Sequence, residues 1–534
     1  MKLSGALQEV FSAQKDRPAV SRFQPPDTLT TWSYKTLARR ALKFADALSG
    51  GGVGPGDFVV GYTQKTPEAV AALLGTLFCG AVACSLNTRM KPPQLLSVCR
   101  KANPKFLVLD KGGLLNFLEI RAAVDFGLQP IFLGGEKEWQ NAAPILEKKG
   151  IPLPVRPWAA EEDGEYPLVS PRSFEGETPG LCLFTSGSTG VPKGVLISRD
   201  DLYARARIEA EDYELGETDG LLSLLPFSFD VGMNQLFASL LAGSHLVILN
   251  SYFPKDVLQA VKSCGITGIS GVPSIWANML HQEDGWESRR SMLNSLRYIT
   301  VSGGDLGRDQ LLRLKSYLGP VKIFKTYGQT ETFRSSMLKP MDFDGKMTSV
   351  GKPVKGTRVF ILAGDEKLAE PDQEGEIVHS GTGMMLGYLK DPAATAEKIK
   401  EAPGFLSSLV GGKVVYTGDR GKMDAEGYLT VLGRQDGMIK TWGIRVYPRE
   451  IENQILECQG VRMAAVVGIP DPIKGQAVIA EVVADPEAKV GKLENDLRNR
   501  LPHYMVPERV SIVEALPLTE NGKIDYPKIR EKYA

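Results

Sequence analysis

LCLFTSGSTGVPKGVLIS, residues 181–198, is the most informative stretch of this sequence. We expect a buried strand over 181–184, then a loop of Thr, Ser, Gly, Pro and Lys, then a second apolar strand. The glycines let backbone N–H groups turn toward one point, so the loop is suited to the phosphates of a nucleotide. It is not a Walker A loop, because G-x-x-x-x-G-K-[ST] is absent and a strand is expected to follow. A flexible Gly/Ser turn is the alternative by composition. The candidate phosphate-binding residues are Thr185, Ser186, Gly187, Ser188, Thr189 and Lys193.

The composition is that of a soluble globular protein. The chain has 534 residues, of which 43% are hydrophobic and 24% are charged, so an intrinsically disordered chain is excluded. Its length predicts two to four domains. Lys plus Arg and Asp plus Glu both total 63, so no global field attracts nucleic acid or acidic lipid. We therefore expect no nucleic-acid partner.

Cysteines and histidines are sparse and show no metal-binding spacing. The six cysteines form no C-x-x-C and mostly lie in apolar runs, which favours reduced core thiols. The four histidines are widely spaced, so zinc chemistry is not expected. The N-terminus is interrupted by charges, unlike a signal peptide. The uncharged segment between Glu68 and Arg89 predicts a helix followed by a buried strand rather than a membrane span. We expect a cytoplasmic enzyme.

Strands alternate with helices over most of the chain. Residues 34–50 have the apolar spacing of a helix, and residues 57–63 have the pattern of a strand. The same alternation recurs along the chain as far as GITGISGV (265–272). The pattern predicts an α/β fold, with a large N-terminal part of mostly parallel sheets flanked by helices. After about residue 430 the sequence pattern changes, and it predicts a small α+β unit whose helix begins at Pro448. We predict an N-terminal domain over 1–433, a hinge at 434–436 and a mobile C-terminal lid domain over 437–534.

Five motifs together resemble those of the adenylate-forming superfamily, which includes acyl-CoA synthetases, peptide-synthetase adenylation domains, aryl ligases and luciferases. TSGSTGVPKG is similar to its phosphate loop. The others follow in order: YGQTE (327–331), YTGD (416–419), GRQDGMIKTWGIRVYPREIE (433–452) and PLTENGKID (517–525). The resemblance covers nearly the whole chain. It implies an AMP-forming ligase that uses ATP and Mg²⁺ to activate a carboxylic acid as an acyl-adenylate, releases pyrophosphate, and transfers the acyl group to an acceptor.

The resemblance also implies roles for single residues, each of which has an ordinary structural alternative. Lys523 is implied to catalyse adenylation, and Lys440 to act in the second half-reaction. Glu331 is implied to bind Mg²⁺, which favours one or two carboxylates plus substrate phosphates. Asp436 is the implied hinge residue. The implied nucleotide-binding residues are Tyr327 (stacking on adenine), Gly328, Thr330, Asp419 (ribose hydroxyls), Arg434 (ribose or phosphate), and Gly303, Gly304 and Asp305 of the SGGD turn, whose backbone lines the substrate carboxylate and adenine.

The acyl pocket is implied to be lined by segment 225–243 and its neighbours. The candidate substrate-binding residues are Phe229, Asp230, Met233, Val272, Pro273, Trp276 and Gly303. Amino-acid-activating members carry Phe-Asp at 229–230, but Gly232 stands where that class commonly has Ser. Asp230 therefore either binds a substrate ammonium or caps the following helix. Each of the apolar pocket residues, taken singly, is more typical of a core than of a pocket.

The residues alone do not identify the acceptor of the acyl group. Gly443 matches the loop that faces the site in the second half-reaction and leaves room for pantetheine, whereas the bulky Trp442 beside it argues against an open tunnel. Coenzyme A is the first choice, and a free amine, as in coronafacate-ligase-like enzymes, is the second. No carrier-protein sequence follows Lys523, so we expect any carrier to be a separate protein. A non-enzymatic nucleotide-binding scaffold is disfavoured because Lys523, Glu331 and Asp419 are all present.

Overall fold

The computed structural model describes residues 3–124, 127–134, 139–141, 144, 178–185, 192–280, 290–364, 367–435, 437–442, 444–519 and 521–533. The chain divides into two compact units. The first unit comprises Met1–Ser270 and Thr382–Glu397, and the second comprises Gly271–Gly381 and Lys398–Ala534.

Helices occur throughout both units. Those of the described residues are α1 (Leu3–Ala13), α2 (Tyr34–Gly50), α3 (Pro67–Phe78), α4 (Pro92–Ala102), α5 (Lys111–Ile120), α6 (Arg199–Asp212), α7 (Asp230–Leu241), α8 (Pro254–Cys264), α9 (Pro273–Leu280), α10 (Arg308–Leu318), α11 (Pro392–Lys398), α12 (Pro448–Leu456), α13 (Val490–Arg500) and α14 (Tyr526–Glu531). None of the helices in these described ranges is long and apolar enough to cross a membrane.

Strands alternate with these helices. They are β1 (Pro18–Gln24), β2 (Thr28–Ser33), β3 (Phe58–Tyr62), β4 (Val82–Ser85), β5 (Phe106–Leu109), β6 (Gln129–Phe132), β7 (Pro179–Thr185), β8 (Lys193–Ser198), β9 (Gly220–Ser223), β10 (His245–Ile248), β11 (Gly268–Gly271), β12 (Tyr298–Val301), β13 (Lys322–Tyr327), β14 (Ser336–Leu338), β15 (Lys352–Pro353), β16 (Thr357–Leu362), β17 (Gly375–Gly381), β18 (Gly387–Tyr388), β19 (Ile399–Glu401), β20 (Lys413–Met423), β21 (Leu429–Arg434), β22 (Ile439–Thr441), β23 (Ile444–Val446), β24 (Val461–Asp471), β25 (Gly475–Ala484) and β26 (Arg509–Ile512).

The first unit contains two sheets with parallel centres. In one, β11, β9, β10 and β1 are hydrogen-bonded in parallel and β2 joins the edge in antiparallel orientation. In the other, the order is β18-β8-β7-β4-β3-β5-β6, parallel from β7 to β6. This confirms the α/β fold class for the N-terminal part of the chain.

Local sequence explains where these helices begin. The α2 helix starts after Ser33, whose hydroxyl accepts a hydrogen bond from the Thr36 N–H at 3.2 Å. Its apolar stripe, with Leu37 and Phe44, is buried. Thr66 caps α3 in the same way, with Pro67 in the first helical turn. The uncharged segment after Glu68 forms α3 and then β4, as the sequence predicted.

The second unit holds mixed and antiparallel sheets. The β12 and β13 strands are parallel, while β14 and β15 add in antiparallel orientation. The strands β16, β17, β20, β19 and β21 form a wholly antiparallel sheet. The sequence analysis did not anticipate this antiparallel sheet.

The C-terminal residues have their own sheet and core. The β22 and β23 strands form a hairpin, and α12 begins at Pro448 as predicted. The β24, β25 and β26 strands continue the sheet, and Ile451, Val466 and Leu497 are among its buried core residues. The predicted hinge residue Asp436 lies outside the described residues, so the domain boundary at 434–436 stays a prediction.

Candidate active site

The two strands that flank the glycine-rich loop lie in the first unit. The β7 and β8 strands pair in antiparallel register up to Thr185 and Lys193, so a strand does follow the loop. The Lys193 ammonium lies 5.3 Å from the centre of the Tyr388 ring. The predicted phosphate-binding residues Ser186, Gly187, Ser188 and Thr189 lie outside the described residues.

A buried carboxylate is the centre of the site in the second unit. Asp419 Oδ2 accepts hydrogen bonds from the Tyr327 hydroxyl and from Gln329 Nε2, both at 2.7 Å. The Arg434 Nε lies 3.5 Å from its other oxygen, because Asp419 and Arg434 are direct partners in the β20–β21 ladder. The structure thus brings together three residues that were predicted from three separate motifs: Tyr327, Asp419 and Arg434.

Burial dominates the electrostatics of this carboxylate. It raises the pKa of Asp419 above its usual range, although Arg434 and the hydrogen bonds from Tyr327 and Gln329 act in the opposite direction. A buried carboxylate of this kind is an acceptor for two neighbouring hydroxyl groups, such as those of a ribose. The geometry therefore suits the nucleoside part of a nucleotide.

Lys398, which the sequence analysis missed, adjoins this centre. Its ammonium donates to the Thr417 carbonyl oxygen at 2.8 Å. Burial, followed by the charge of Arg434, lowers its pKa, while Glu331 and Asp419 act to raise it. The sequence gives no signal that Lys398 lies beside Asp419, because a lysine at the end of a helix is common.

YGQTE forms a tight turn between β13 and β14. Thr332 N–H donates to the Gln329 carbonyl at 3.0 Å, and Ser335 N–H donates to the Tyr327 carbonyl at 2.8 Å. Gly328 is needed here, since an added Cβ would lie 1.6 Å from the Phe333 carbonyl oxygen. Glu331 is half-buried on this turn, as is Thr330.

The SGGD turn follows β12, and its aspartate is held by two cations. Asp305 Oδ1 lies 2.9 Å from Lys325 Nζ, and Oδ2 lies 2.9 Å from a guanidinium nitrogen of Arg449. Burial acts to raise the pKa of Asp305, but the charges of Lys325 and Arg449 outweigh it, so that pKa is lowered. Gly303 and Gly304 precede it, and Gly304 lies close to the Pro273 ring. The Asp305 carboxylate is thus engaged inside the protein, and the ligand-binding role of the SGGD turn stays a prediction.

The predicted acyl-pocket residues are buried in both units. In the first unit, Phe229, Asp230 and Met233 surround the start of α7. Asp230 Oδ1 accepts a hydrogen bond from the Val231 N–H at 2.9 Å. Asp230 is the first residue of α7, and the N-cap is Phe229, so Asp230 does not cap this helix as the sequence alternative had it. Gly232 permits close approach, because an added Cβ would lie 2.4 Å from the Pro226 carbonyl oxygen.

In the second unit, the predicted pocket residues belong to the start of α9 and the residue before it. Val272 and Trp276 are buried, and the indole N–H of Trp276 donates to the Thr300 carbonyl at 2.9 Å. This bond ties α9 to β12, the strand that leads into the SGGD turn. Arg334, three residues after Glu331, is buried as well.

Lys523 lies in a hydrogen-bonded turn that contacts α9. The Thr519 N–H donates to the Lys523 carbonyl at 2.6 Å, and the Gly522 N–H donates to the Thr519 carbonyl at 3.0 Å. The Ser274 hydroxyl donates to the Gly522 carbonyl at 2.8 Å. The structure thus brings the Lys523 turn next to a predicted wall of the acyl pocket.

The second predicted catalytic lysine lies elsewhere in the C-terminal sheet. Lys440 is an exposed residue of β22 whose N–H donates to Gln476 Oε1 at 2.7 Å. Its neighbour Trp442 has a side chain that is 54% exposed and a backbone φ of 53°. Gly443, predicted to line the acceptor path, lies outside the described residues.

The sequence comparisons assign the chain to a family. The chain matches the AMP-binding enzyme family over residues 7–389 and the AMP-binding enzyme C-terminal domain over residues 450–523. It belongs to this family, which confirms the predicted adenylate-forming class.

Three curated relatives illustrate the range of the family. The chain is 30% identical to indoleacetate–CoA ligase of Aromatoleum aromaticum, covering 94% of this chain and 93% of the relative. It is 29% identical to sulfoacetate–CoA ligase of Cupriavidus necator, covering 98% and 96%. It is 28% identical to bacitracin synthase 3 of Bacillus licheniformis, covering 93% of this chain but only 7% of that protein.

Solved structures agree on the fold. Amide bond synthetase McbA from Marinactinospora thermotolerans superposes with a TM-score of 0.84 at 25% identity, covering 99% of both chains. ATP-bound MatB from Rhodopseudomonas palustris gives 0.82 at 24% identity, covering 100% of this chain and 99% of that one. The α/β architecture of this chain is therefore that of adenylate-forming enzymes.

Proposed function

We propose that this protein activates a carboxylic acid with ATP and then transfers the acyl group to an acceptor, coenzyme A in the first place. In the first step a carboxylate oxygen bonds to the α-phosphorus of ATP. The bond from that phosphorus to the α–β bridging oxygen breaks, and pyrophosphate leaves. In the second step the acceptor thiol loses its proton and its sulfur bonds to the acyl carbon. The bond from that carbon to the phosphate oxygen breaks, and AMP leaves.

One observation carries the proposal: the Lys523 turn is hydrogen-bonded to Ser274, next to Val272 of the predicted acyl pocket. Both reactants of the first step are anions, so their repulsion must be screened and the charge that develops at the α-phosphorus must be stabilised. The ammonium of Lys523, on a turn held beside the predicted acid site, would supply that charge. The Tyr327–Asp419–Arg434 cluster supplies the nucleoside contacts.

The experiment is acid-dependent exchange of labelled pyrophosphate into ATP. The probes are indole-3-acetate, sulfoacetate, benzoate and a series of straight-chain fatty acids, each compared with a sample without acid. We expect exchange with at least one acid and none without acid. Formation of ADP and phosphate in place of AMP and pyrophosphate, or exchange that ignores the acid, would contradict the proposal.

Glu331 is the residue that fits Mg²⁺. It presents a half-buried carboxylate on the YGQTE turn, and Mg²⁺ favours one or two carboxylates together with substrate phosphates. The ion, when bound, neutralises phosphate charge. We expect Glu331→Gln to raise the Mg²⁺ concentration needed for half-maximal exchange, and the exposed Glu370→Gln to leave it unchanged. An unchanged requirement in Glu331→Gln would assign this carboxylate a structural role only.

A free amine is the second candidate acceptor. It is supported by Trp442, a large exposed side chain at the predicted acceptor loop, and by the similarity to an amide bond synthetase. A separate carrier protein is the third. Once the acid is found, product formation with coenzyme A, with a panel of primary amines and with a phosphopantetheinylated carrier protein distinguishes the three. Trp442→Gly should raise thioester formation if the indole restricts coenzyme A.

The thiol chemistry supports a cytoplasmic location. All six cysteines are free, and five of them are buried. Reduced thiols are typical of proteins that work in a reducing compartment. Cell fractionation tests this part of the proposal.

A further inference from the structure

Asp305 joins two parts of the second unit through ionic contacts. One of its oxygens lies 2.9 Å from Lys325 Nζ on β13, and the other lies 2.9 Å from Arg449 in the first turn of α12. The side chains are 1% exposed for Lys325, 10% for Asp305 and 22% for Arg449. Lys325 also donates to the Met347 carbonyl at 2.6 Å, so the Asp305 side of the contact is fixed.

The burial of this cluster makes its charge balance important. Asp305 is shared by two cations, so removal of Asp305 would leave two positive charges without it, whereas removal of either cation leaves one ion pair intact. Loss of Arg449 would leave Asp305 with Lys325 as its partner. The SGGD turn would then keep its local ion pair, whereas α12 would lose its anchor to this turn.

The α12 helix also supports the Lys523 turn. One turn after Arg449, Glu452 Oε1 accepts hydrogen bonds from the Tyr526 hydroxyl and from the Val466 N–H, both at 2.9 Å. Tyr526 begins α14, three residues after Lys523. A path of direct contacts therefore runs from Asp305 through Arg449 and α12 to the segment that carries the catalytic lysine.

Neutral contacts also join these two parts of the second unit. Besides the Ser274–Gly522 hydrogen bond, Gln310 Nε2 donates to the Arg462 carbonyl at 2.6 Å. Gly307 approaches Leu456 so closely that an added Cβ would lie 2.8 Å from the Leu456 Cβ. Neutral contacts of this kind are individually weak, whereas the Asp305–Arg449 pair carries charge and has a fixed direction.

We propose that Arg449, through its ion pair with Asp305, is the positioning residue that holds the Lys523 turn against Val272 and Ser274 for the adenylation step. The inference rests on the proposed function of Lys523 in that step. Arg449 itself touches no reacting atom. It acts by fixing α12, and through α12 the turn, so its loss should affect the step that uses Lys523 and spare the step that does not.

The test compares both half-reactions in Arg449→Met, Arg449→Lys and the control Arg500→Met. Arg500 forms an exposed pair with Glu457 in the same C-terminal region. The readouts are pyrophosphate exchange with the best acid among the probes named above, and acyl transfer from that acid's synthetic adenylate. We expect Arg449→Met to lose roughly tenfold or more in exchange, a change of the size that one lost charged contact produces.

Transfer from the adenylate should change by less than about threefold, and Arg449→Lys, which keeps the positive charge, should recover most of the exchange. Arg500→Met should match the wild type in both assays. An equal fall in both half-reactions, or undiminished exchange in Arg449→Met, would overturn the inference. If Arg449→Met does not fold, the neutral variant Arg449→Gln takes its place, and the same loss of exchange with intact transfer is expected.

Hydrogen–deuterium exchange gives a readout that does not depend on catalysis. Peptides covering 271–280 and 517–526 should exchange faster in Arg449→Met than in the wild type or in Arg500→Met. Unchanged protection of both peptides would refute the positioning role even if the wild type showed no adenylation. Faster exchange of the peptides in a protein that forms no adenylate would instead refute the proposed function and leave the contact established.

Discussion

Among single residues, Lys523 has the most direct link to the proposed chemistry, because its turn is fixed beside the predicted acid site by Ser274. Lys523→Ala should lower adenylate formation by about 10²-fold or more, comparable to the loss of one preorganised electrostatic donor. Transfer from preformed acyl-adenylate should be much less affected. Lys528→Ala, in the exposed part of α14, is the matched control. Equal damage to both half-reactions in single-turnover assays would remove Lys523 from the first step.

Lys65 is a second residue with unusual physical chemistry, since its ammonium is buried in the first unit. It donates to the carbonyl oxygens of Ser223 at 2.6 Å and Leu224 at 2.8 Å. Burial lowers its pKa to about 7. In the unfolded chain the amine keeps its proton up to its ordinary pKa of about 10.4. Between these two values the unfolded state binds more protons, so this residue makes the free energy of unfolding rise with pH.

The prediction for Lys65 is therefore a difference between two proteins. Chemical denaturation of the wild type and of Lys65→Met should be measured at several pH values from 5 to 9. The wild type should gain stability relative to the variant as the pH rises above 7, and the difference should be constant below pH 6. A difference that does not depend on pH over the whole range would show that Lys65 keeps its ordinary pKa.

At the scale of elements, the start of α7 explains a departure from the amino-acid-activating class. Gly232 stands where that class commonly has Ser, and an added Cβ would lie 2.4 Å from the Pro226 carbonyl oxygen. Gly232→Ser should destabilise the protein by about 1–3 kcal/mol, because overpacking forces the helix to shift. Gly216→Ser is the control, since its Cβ would meet open space. Equal unfolding midpoints for the two variants would contradict this account.

The elements best predicted from sequence are those with strong local signals. The amphipathic spacing of 34–50 and the glycines after it predicted α2 at the bounds that the structure gives. The antiparallel sheet of β16–β17 and β19–β21 was not predicted, because the sequence analysis extended the strand–helix alternation to the whole N-terminal part. Strand pairing depends on partners far apart in the sequence, and single-sequence patterns do not report them.

The residues of the candidate site likewise divide into those that the sequence predicted and those that it missed. Tyr327, Asp419 and Lys523 were predicted because they lie in motifs whose letters are distinctive. Lys398 and Arg449 were not assigned roles, because a lysine at the end of a helix and an arginine after a proline carry no local signal. Lys398 contacts Thr417, which lies 19 residues later in the sequence. Arg449 contacts Asp305, which lies much earlier in the sequence. Only the folded chain brings these partners together.

At the scale of the whole molecule, the two predicted catalytic lysines lie on different elements of the chain, although each is expected to act in one of the two half-reactions. Lys523 is fixed beside Ser274, while Lys440 lies on β22 and contacts Gln476. We propose that rotation at the 434–436 hinge exchanges the two lysines between the half-reactions, with the Asp305–Arg449 pair released at each exchange. The residues flanking this hinge include Gly433 and Gly437, which permit large backbone changes.

Asp436→Pro tests this rotation, because proline fixes φ near −65°. The variant should retain one half-reaction and lose most of the other, measured as pyrophosphate exchange and as acyl transfer from synthetic adenylate. Asp436→Ala, which keeps φ free, is the control and should retain both. Wild-type rates for both half-reactions in Asp436→Pro would exclude rotation at this residue.

The most direct test of the central claim follows the carboxylate oxygen. The acid that supports pyrophosphate exchange is prepared with ¹⁸O in its carboxylate and is incubated with ATP and the acceptor. If a carboxylate oxygen attacks the α-phosphorus and the acyl carbon–oxygen bond then breaks, one labelled oxygen must appear in AMP. We predict one ¹⁸O atom per AMP by mass spectrometry. AMP without label, or label found only in pyrophosphate or phosphate, would contradict the account.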